Sequence, residues 1–122
     1  MNKSKGRLES EISNAISQFE KEHLGRGPKE TKSYIIQDMI LVRLKGILTP
    51  AEENLANEEG GIQIIKEIRN RLIESSRPLL EKIIEQNTGH KVSSLHTDIS
   101  ARSGERVFIF VLDSNLEDHN FR

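Results

Sequence analysis

The first segment of the chain repeats hydrophobic residues every three or four positions. This spacing places Leu8, Ile12, Ala15, Ile16, Phe19 and His23 on one stripe of an amphipathic helix. Glu9, Glu11, Glu20 and Lys21 are predicted on its other faces. The helix is expected to end near residues 23–29, because Gly25 suits a left-handed C-terminal position and Pro28 cannot continue a helix.

Two β-rich runs follow, and the pattern predicts a hairpin with strands near residues 30–36 and 39–46. A two-residue turn at Gln37-Asp38 pairs Ile36 with Met39 and Tyr34 with Leu41. One face of the hairpin then carries Ile35, Ile40, Val42 and Leu44. The other face carries Tyr34, Ile36, Met39 and Leu41, with Lys32, Arg43 and Lys45 further from the turn.

Two helices are predicted in the middle of the chain. Thr49, Pro50 and Glu52 form the pattern of a capping box, so a short helix starts here and ends by Gly60-Gly61. A longer helix then runs to Gly89. Its predicted inward stripe is Ile62, Ile65, Ile68 or Arg69, Leu72, Leu79 and Ile83. Pro78 lies inside this helix and is expected to kink or divide it.

The last two β-rich runs, residues 91–100 and 105–112, are predicted to pair about Ser103-Gly104. This register places Ile99 opposite Phe108, Thr97 opposite Phe110 and Leu95 opposite Leu112, all facing the helices. The opposite face then carries Ser94, His96, Asp98 and Ser100 beside Val107, Ile109 and Val111.

The order of elements predicts an α+β fold, a two-layer sandwich in which helices cover one face of a four-stranded, mainly antiparallel sheet. A circularly permuted ferredoxin-like sheet is one arrangement with these properties. In that arrangement the most apolar strands, near 39–44 and 107–112, would be the central pair. We expect a disordered N-terminus over residues 1–6, a single domain over 7–113 and a flexible tail over 114–122.

Composition and charge narrow the classes of function. Lys and Arg number 18 and Asp and Glu 19, a net charge of −1, and the chain has no Cys and no Trp. Cysteine-based catalysis and disulfides are therefore excluded, and nucleic acid is not an expected partner. Lys32, Arg43 and Lys45 are the only basic row that favours a nucleic-acid-binding regulator.

No apolar run approaches the roughly 20 residues of a membrane span. A cytoplasmic protein, peripheral to the membrane only through a protein partner, is expected.

The outer face of the predicted sheet is too apolar to remain exposed to solvent in a monomer. Its candidate interface residues are Tyr34, Ile36, Met39, Leu41, Val107, Ile109 and Val111. We expect this face to be buried against a second copy, as a homodimer, or against another protein.

Three interpretations of His96 and Asp98 differ in their chemistry. A catalytic zinc site typically has three protein ligands, and these two residues supply only two. A catalytic pair needs a nucleophile and an oxyanion loop, whereas Ser94 and Ser100 lie on a flat sheet. A polar row at an interface fits the pattern best, so no catalytic residue, metal or cofactor is predicted.

The loop of residues 25–29, Gly-Arg-Gly-Pro-Lys, has two interpretations. Free glycine N–H groups beside Arg26 and Lys29 resemble a small anion nest. The loop follows a helix C-terminus, however, where the dipole disfavours anions. The simpler interpretation is a helix stop followed by a connection.

Several stretches together resemble the MpsC-like family, a bacterial family labelled after a sodium-translocating, membrane-potential-generating system. They are Gly-Arg-Gly-Pro (25–28), RLKGILTPAE (43–52), Arg-Pro (77–78), Thr-Gly (88–89) and HTDIS with GER (96–106). The resemblance implies a non-enzymatic accessory subunit of a membrane cation-translocating and inorganic-carbon-accumulating system, with a membrane transporter subunit as partner. It also implies candidate partner- or anion-binding residues, namely Gly25, Arg26, Gly27, Pro28, Arg43, His96 and Asp98. The alternative is a small metal- or anion-dependent enzyme that uses His96, Asp98 and Arg26.

Overall fold

The computed structural model describes residues 4–117 and 121. The elements are α1 (Lys5–His23), β1 (Glu30–Ile36), β2 (Met39–Lys45), α2 (Pro50–Ala56), α3 (Gly61–Thr88), β3 (Val92–Ser100) and β4 (Glu105–Leu112). The predicted element order and α+β class are confirmed. The predicted disordered start and flexible tail fall partly on residues 1–3, 118–120 and 122, outside the described residues. Leu116 packs in the core, and its N–H donates to the Gln37 carbonyl at 2.9 Å.

The sheet is antiparallel, in the order β1-β2-β4-β3, so the two most apolar strands are central as predicted. This order is the one expected of a circularly permuted ferredoxin-like sheet. The helices cover one face, where α1 packs on β1 and α3 on β3, and α1 and α3 contact each other. The core lies between these two layers.

The first hairpin has the predicted register. Ile36 pairs with Met39, Ile35 with Ile40 and Tyr34 with Leu41. Ile35, Ile40, Val42 and Leu44 are buried under the helices. The tight turn between the strands holds Gln37 at a φ of 57°, in the left-handed region that favours glycine.

The predicted register of the second hairpin is wrong by two residues. The strands are joined by residues 101–104, where the Gly104 N–H donates to the Ser100 carbonyl at 2.8 Å, so Ser100 rather than Arg102 precedes the turn. Side chains alternate along a strand, so a shift of two leaves every residue on its predicted face. The shift makes Ile99 the partner of Arg106, which lies in the layer that faces the helices because it alternates in step with Phe108.

Pro78 was predicted to kink or divide the long helix, and division is wrong, because α3 continues through it. Ile73 and Leu80 are buried on either side of Pro78, and this packing holds both halves of the helix against the sheet.

The predicted inward stripe of α3 is also wrong in part. The buried positions are Gly61, Ile65, Arg69, Ile73, Leu80 and Ile84. Ile68, Leu72 and Leu79 are instead 53%, 40% and 37% exposed. The helix is apolar on more than one face, and the sheet-facing strip is interrupted by the polar Arg69. Ile65 and the alternative Arg69 of the predicted stripe are buried, and Ile62 and Ile83 pack against the core, so the pattern was wrong at Ile68, Leu72 and Leu79.

Both edge strands of the sheet are contacted by a helix side chain. On β1, the Ile35 N–H donates to Glu9 Oε2 at 2.8 Å. On β3, Arg77 Nη2 donates to the Leu95 carbonyl at 3.2 Å. Such contacts occupy backbone groups that would otherwise be free to pair with another strand.

Candidate functional site

Three connections meet at one end of the sheet, which we call the loop end: residues 24–29, 46–49 and 101–104. Arg26 Nη1 donates to the Leu48 carbonyl at 2.9 Å, and the Lys29 N–H donates to the Lys45 carbonyl at 2.8 Å. The Ile47 N–H donates to the Gly104 carbonyl at 3.1 Å. The guanidinium of Arg26 therefore ties two of these connections together.

Gly46 is required by the close approach of two segments at the loop end. Its φ is +67°, and a Cβ at this position would lie 2.6 Å from side-chain carbons of Lys29. A larger residue would be strained in its backbone and would also displace the Lys29 side chain.

A cleft of about 390 Å³ opens at the loop end. Its lining carries charges of both signs, with Lys29 and Arg102 on one hand and Glu53 on the other, together with Asn57 and Ser103. Among the residues that line the cleft, two are thus positively charged and one is negatively charged.

An ion pair between a buried arginine and a half-buried glutamate lies beneath the loop end. Arg69 on α3 donates from Nε and Nη2 to the two carboxylate oxygens of Glu52, at 2.7 and 2.6 Å, and from Nη2 to the Ile47 carbonyl at 2.9 Å. Glu52 also accepts from the Thr49 N–H, while the Thr49 hydroxyl accepts from the Glu52 N–H, which completes the predicted capping box. Glu52 thus joins the start of α2 to α3.

Two further charged groups are fully buried in the core. Arg106 donates to Thr97 Oγ1 at 2.8 Å, and its guanidinium carbon lies 5.7 Å from the centre of the Phe108 ring. Glu20 is 0% exposed, so its predicted position on an outer face is wrong. Among the described residues, both Glu20 oxygens and Arg106 Nε lack a hydrogen-bond partner.

Burial dominates the titration of this cluster. It raises the pKa of Glu20 to about 7, although the nearby charges of Arg69 and Arg106 act in the opposite direction. Burial likewise lowers the pKa of Arg106 to about 10, opposed by the charge of Glu20. Arg106 therefore stays protonated at neutral pH, whereas Glu20 changes charge there.

The sequence carried a signal for each buried charge. Glu20 follows Ile16 by four positions, which places it on the apolar side of α1. Arg106 shares the alternation of Phe108 and Phe110 in β4 and so faces the same layer. A charged residue at an apolar position of either repeat indicates a buried polar cluster.

The face of the sheet away from the helices, called the outer sheet face, carries most of the predicted interface and site residues. It comprises Glu30, Lys32, Tyr34, Ile36, Met39, Leu41, Arg43, Lys45, Ser94, His96, Asp98, Ser100, Glu105, Val107, Ile109 and Val111. Tyr34 and Ile36 are exposed, and the apolar residues of the two central strands are half-buried. The registers align Tyr34, Leu41, Ile109 and His96 in one row across the sheet.

His96 and Asp98 have separate partners. His96 Nε2 lies 3.4 Å from Ser94 Oγ, whereas Asp98 Oδ1 accepts from the Ile99 N–H at 2.8 Å and lies 3.6 Å from Lys66 Nζ. Across residues 4–117 and 121, no group of three or more His, Asp or Glu is placed to hold a metal ion.

The basic row of the outer sheet face is largely neutralised within the chain. Arg43 donates to both oxygens of Glu105, at 2.9 and 3.1 Å, and this hydrogen bonding lowers the pKa of Glu105. Lys45 lies 3.8 Å from Glu30. Phosphate groups would therefore compete with carboxylates already in place.

The predicted site residues separate into two groups. Gly25, Arg26, Gly27 and Pro28 lie at the loop end. Arg43, His96 and Asp98 lie on the outer sheet face, where Arg43 and Asp98 share one row through Val107. The sequence prediction treated these as one set and did not anticipate the division.

One further surface was not predicted. Ile64, Ile68, Leu72 and Leu79, which we call the α3 stripe, form an exposed apolar row along the helix, with exposures of 47%, 53%, 40% and 37%. It extends for about 22 Å at the helical rise of 1.5 Å per residue.

A family model described as "Na+-translocating membrane potential-generating system (MpsC)" matches residues 4–114. The chain belongs to the MpsC family. The resemblance inferred from the sequence is thus confirmed. The MpsC match extends from the start of α1 to just beyond β4 and so includes the loop end, the α3 stripe and the outer sheet face.

Two relatives from Bacillus subtilis (strain 168) are similar to this MpsC-family chain. The uncharacterized protein YbcI is 52% identical over 117 residues, which cover 96% of this chain and 94% of YbcI. The uncharacterized protein YrhF is 26% identical over 110 residues, 88% of this chain and 89% of YrhF. No solved structure matches the chain.

Three of the five stretches on which the family resemblance rests lie at the loop end, whereas Arg77-Pro78 lies within α3 and Thr88-Gly89 at its C-terminal end. The Gly-Arg-Gly-Pro loop, the RLKGILTPAE segment and the HTDIS–GER turn supply all three connections of the loop end. Within the described part of the chain, no helix is both long enough and apolar enough to cross a membrane.

Proposed function

We propose that this chain is a non-enzymatic accessory subunit of a Na+-translocating, membrane-potential-generating system, held at the membrane by contact with a partner subunit. Membership of the MpsC family supports the link to such a system. The α3 stripe supports the contact with a partner subunit, because it leaves four large apolar side chains exposed in a row.

The occupant of the α3 stripe in this proposal is an amphipathic helix of the partner. The stripe has the length and spacing of a helix-in-groove contact, with anchors repeating on one face of a helix. Its flanks carry paired charges of both signs, Glu67 with Arg71 at 3.1 Å and Glu74 with Arg77 at 3.4 Å. An anionic lipid surface favours a basic border instead, so a protein helix fits better.

The residues with candidate chemistry support a non-enzymatic role. Arg26 is engaged by the Leu48 carbonyl and Arg43 by Glu105. His96 and Asp98 contact different groups, Ser94 for His96 and Lys66 for Asp98. Each of these groups already has a structural contact.

The test is capture of the tagged chain from gently solubilised membranes of its own host, with identification of co-purifying proteins by mass spectrometry. We expect a cation-translocating subunit in stoichiometric amount, and we expect Ile68→Glu to lose it. Gln63→Glu is the matched control, because Gln63 is exposed on the same helix outside the α3 stripe. Equal capture by the native chain and Ile68→Glu would refute the docking surface, and capture of no such subunit would refute the function.

A further inference from the structure

The outer sheet face has apolar residues on its two central strands and net charges of opposite sign on its two halves. On β1 and β2, Lys32, Arg43 and Lys45 outnumber Glu30, whereas the charged residues on β3 and β4 are Asp98 and Glu105. We propose that this face packs against the same face of a second copy, about a two-fold axis parallel to the strands. The inference is independent of the proposed function, since the α3 stripe lies in the helix layer on the other side of the sheet.

Association through the sheet edges is disfavoured. Glu9 occupies the Ile35 N–H on β1, and Arg77 occupies the Leu95 carbonyl on β3. Lys66 also reaches Asp98 on β3. An edge strand of a second copy would have to displace these side chains before it could pair. Two copies are therefore expected to associate through the faces of their sheets.

A two-fold axis parallel to the strands places β1 of one copy over β3 of the other, and β2 over β4, within the same row. In the row of Tyr34, Leu41 then lies over Ile109 of the second copy, and Tyr34 over His96. In the neighbouring row, Lys32 lies over Asp98. Leu41 and Ile109 thus bring apolar residues together, and Lys32 and Asp98 bring opposite charges together at the border. Arg43 lies over Val107 of the second copy, where it can keep its ion pair with Glu105 of its own chain.

The border residues have charged atoms that are not yet paired and that suit this pairing. Lys32 forms no ion pair with the residues described here, and both contacts of Asp98 use Oδ1. An axis perpendicular to the strands, through the centre of the face, would instead place each strand over its own copy. It would set Arg43 against Leu41, Lys45 against Met39 and Glu105 against Val111. Burying charges against apolar side chains is costly, and the strand-parallel axis does so only once, with Arg43 over Val107.

The size of the face is sufficient for a specific dimer. Four strands about 4.8 Å apart and four rows about 6.8 Å apart cover about 500 Å² on each copy. The total of about 1,000 Å² is at the lower limit for a specific interface, so we expect a dimer that dissociates on dilution.

The first measurement is sedimentation equilibrium of the full chain over a range of concentrations, with the monomer mass of 13.9 kDa as reference. We expect a monomer–dimer equilibrium for the native chain and a monomer for Leu41→Glu. Ile68→Glu, on the α3 stripe, is expected to dimerise like the native chain. A monomeric native chain, or loss of the dimer in Ile68→Glu alone, would overturn the proposal.

A charge-swap experiment tests the axis without altering the apolar centre. Lys32→Asp and Asp98→Lys are each expected to weaken the homodimer about tenfold or more, because like charges then meet at both borders. Mixed in equal amounts, the two variants are expected to form a heterodimer of native affinity, since both border pairs are then restored. Circular dichroism confirms that each variant is folded. If the mixture of the two variants forms no heterodimer while the native chain dimerises, the strand-parallel axis is wrong.

Discussion

Arg69 and Glu52 make a two-point contact in which one partner is almost completely buried. The guanidinium Nε and Nη2 donate to the two carboxylate oxygens at 2.7 and 2.6 Å, and Arg69 is only 2% exposed. Burial acts to raise the pKa of Glu52, but hydrogen bonds from Arg69 and Thr49 outweigh it and leave the pKa below its usual range. This contact holds α2 and α3 together.

Glu52→Gln is expected to destabilise the fold strongly. It removes the negative charge beside a buried guanidinium. Breaking a fully buried pair by changing one partner costs about 3–5 kcal/mol, and because the Glu52 side chain is 24% exposed we expect a loss of about 2–4 kcal/mol. The measurement is urea unfolding near neutral pH. Glu53→Gln is the control, because it removes an equivalent first-turn charge from an exposed neighbour and is expected to cost well under 1 kcal/mol. Equal losses in the two variants would show that the pair contributes nothing of its own.

Glu20 is expected to make the fold less stable as the pH rises. Its pKa is about 7 in the folded chain, above its ordinary value of 4.5, so the folded state binds the proton more tightly than the unfolded state. Its stabilising contribution is therefore full below the unfolded pKa and is lost as the pH rises through about 7. The loss amounts to about 3 kcal/mol.

Glu20→Gln is expected to remove this dependence, because the amide does not titrate. The measurement is the free energy of unfolding at about pH 4 and about pH 8, expressed as the difference between the native chain and the variant. Glu22→Gln, exposed on the same helix, should leave the native slope unchanged. If the free energy of unfolding changes between the two pH values by the same amount in the native chain and in Glu20→Gln, Glu20 is not the titrating group.

Gly61→Ala is expected to disrupt the junction between α2 and α3. A Cβ at Gly61 would lie 1.7 Å from the Leu55 carbonyl oxygen, so backbone must move to admit it. We expect a loss of about 2–3 kcal/mol or more in thermal or urea unfolding. Gly6→Ala in α1 meets nothing within 4 Å and is expected to gain up to about 1 kcal/mol. A mild effect at Gly61 would contradict the tight approach of Leu55.

Gln37→Gly is expected to stabilise the first hairpin. A left-handed conformation costs a non-glycine residue about 1–2 kcal/mol, which the greater flexibility of glycine in the unfolded chain partly offsets. We expect a net gain of about 0.5–1 kcal/mol in the free energy of unfolding. Gln63→Gly, within α3, is the opposite case and should destabilise by about 1 kcal/mol. A loss of stability in Gln37→Gly would indicate that the Gln37 side chain makes a compensating contact.

The sequence predicted the layers of this fold better than its polar interior. The two-residue turn at Gln37-Asp38 determines the first register, and alternation then assigns each side chain to a face. The second register failed because residues 101–104 form a longer turn than Ser103-Gly104 suggests. Each side chain was still assigned to the correct face of the sheet, because the register was wrong by two residues. The inward position of Arg106 was not predicted.

The candidate site was less predictable because its members are distant in sequence. The contact from Arg26 to the Leu48 carbonyl joins residues 22 positions apart, and Arg43 meets Glu105 across 62. The buried position of Arg69 depends on the rotation of α3, which has apolar residues on more than one side. Tertiary packing, rather than local pattern, decides which of these sides faces the sheet.

The contacts at the two sheet edges have a consequence for how the chain is made. α1 precedes β1, and α3 precedes β3, in the order of synthesis. Glu9 is therefore already present when the Ile35 N–H leaves the ribosome, and Arg77 when the Leu95 carbonyl does. Because exposed strand edges are where nascent chains aggregate, each vulnerable edge emerges with its protecting side chain already made.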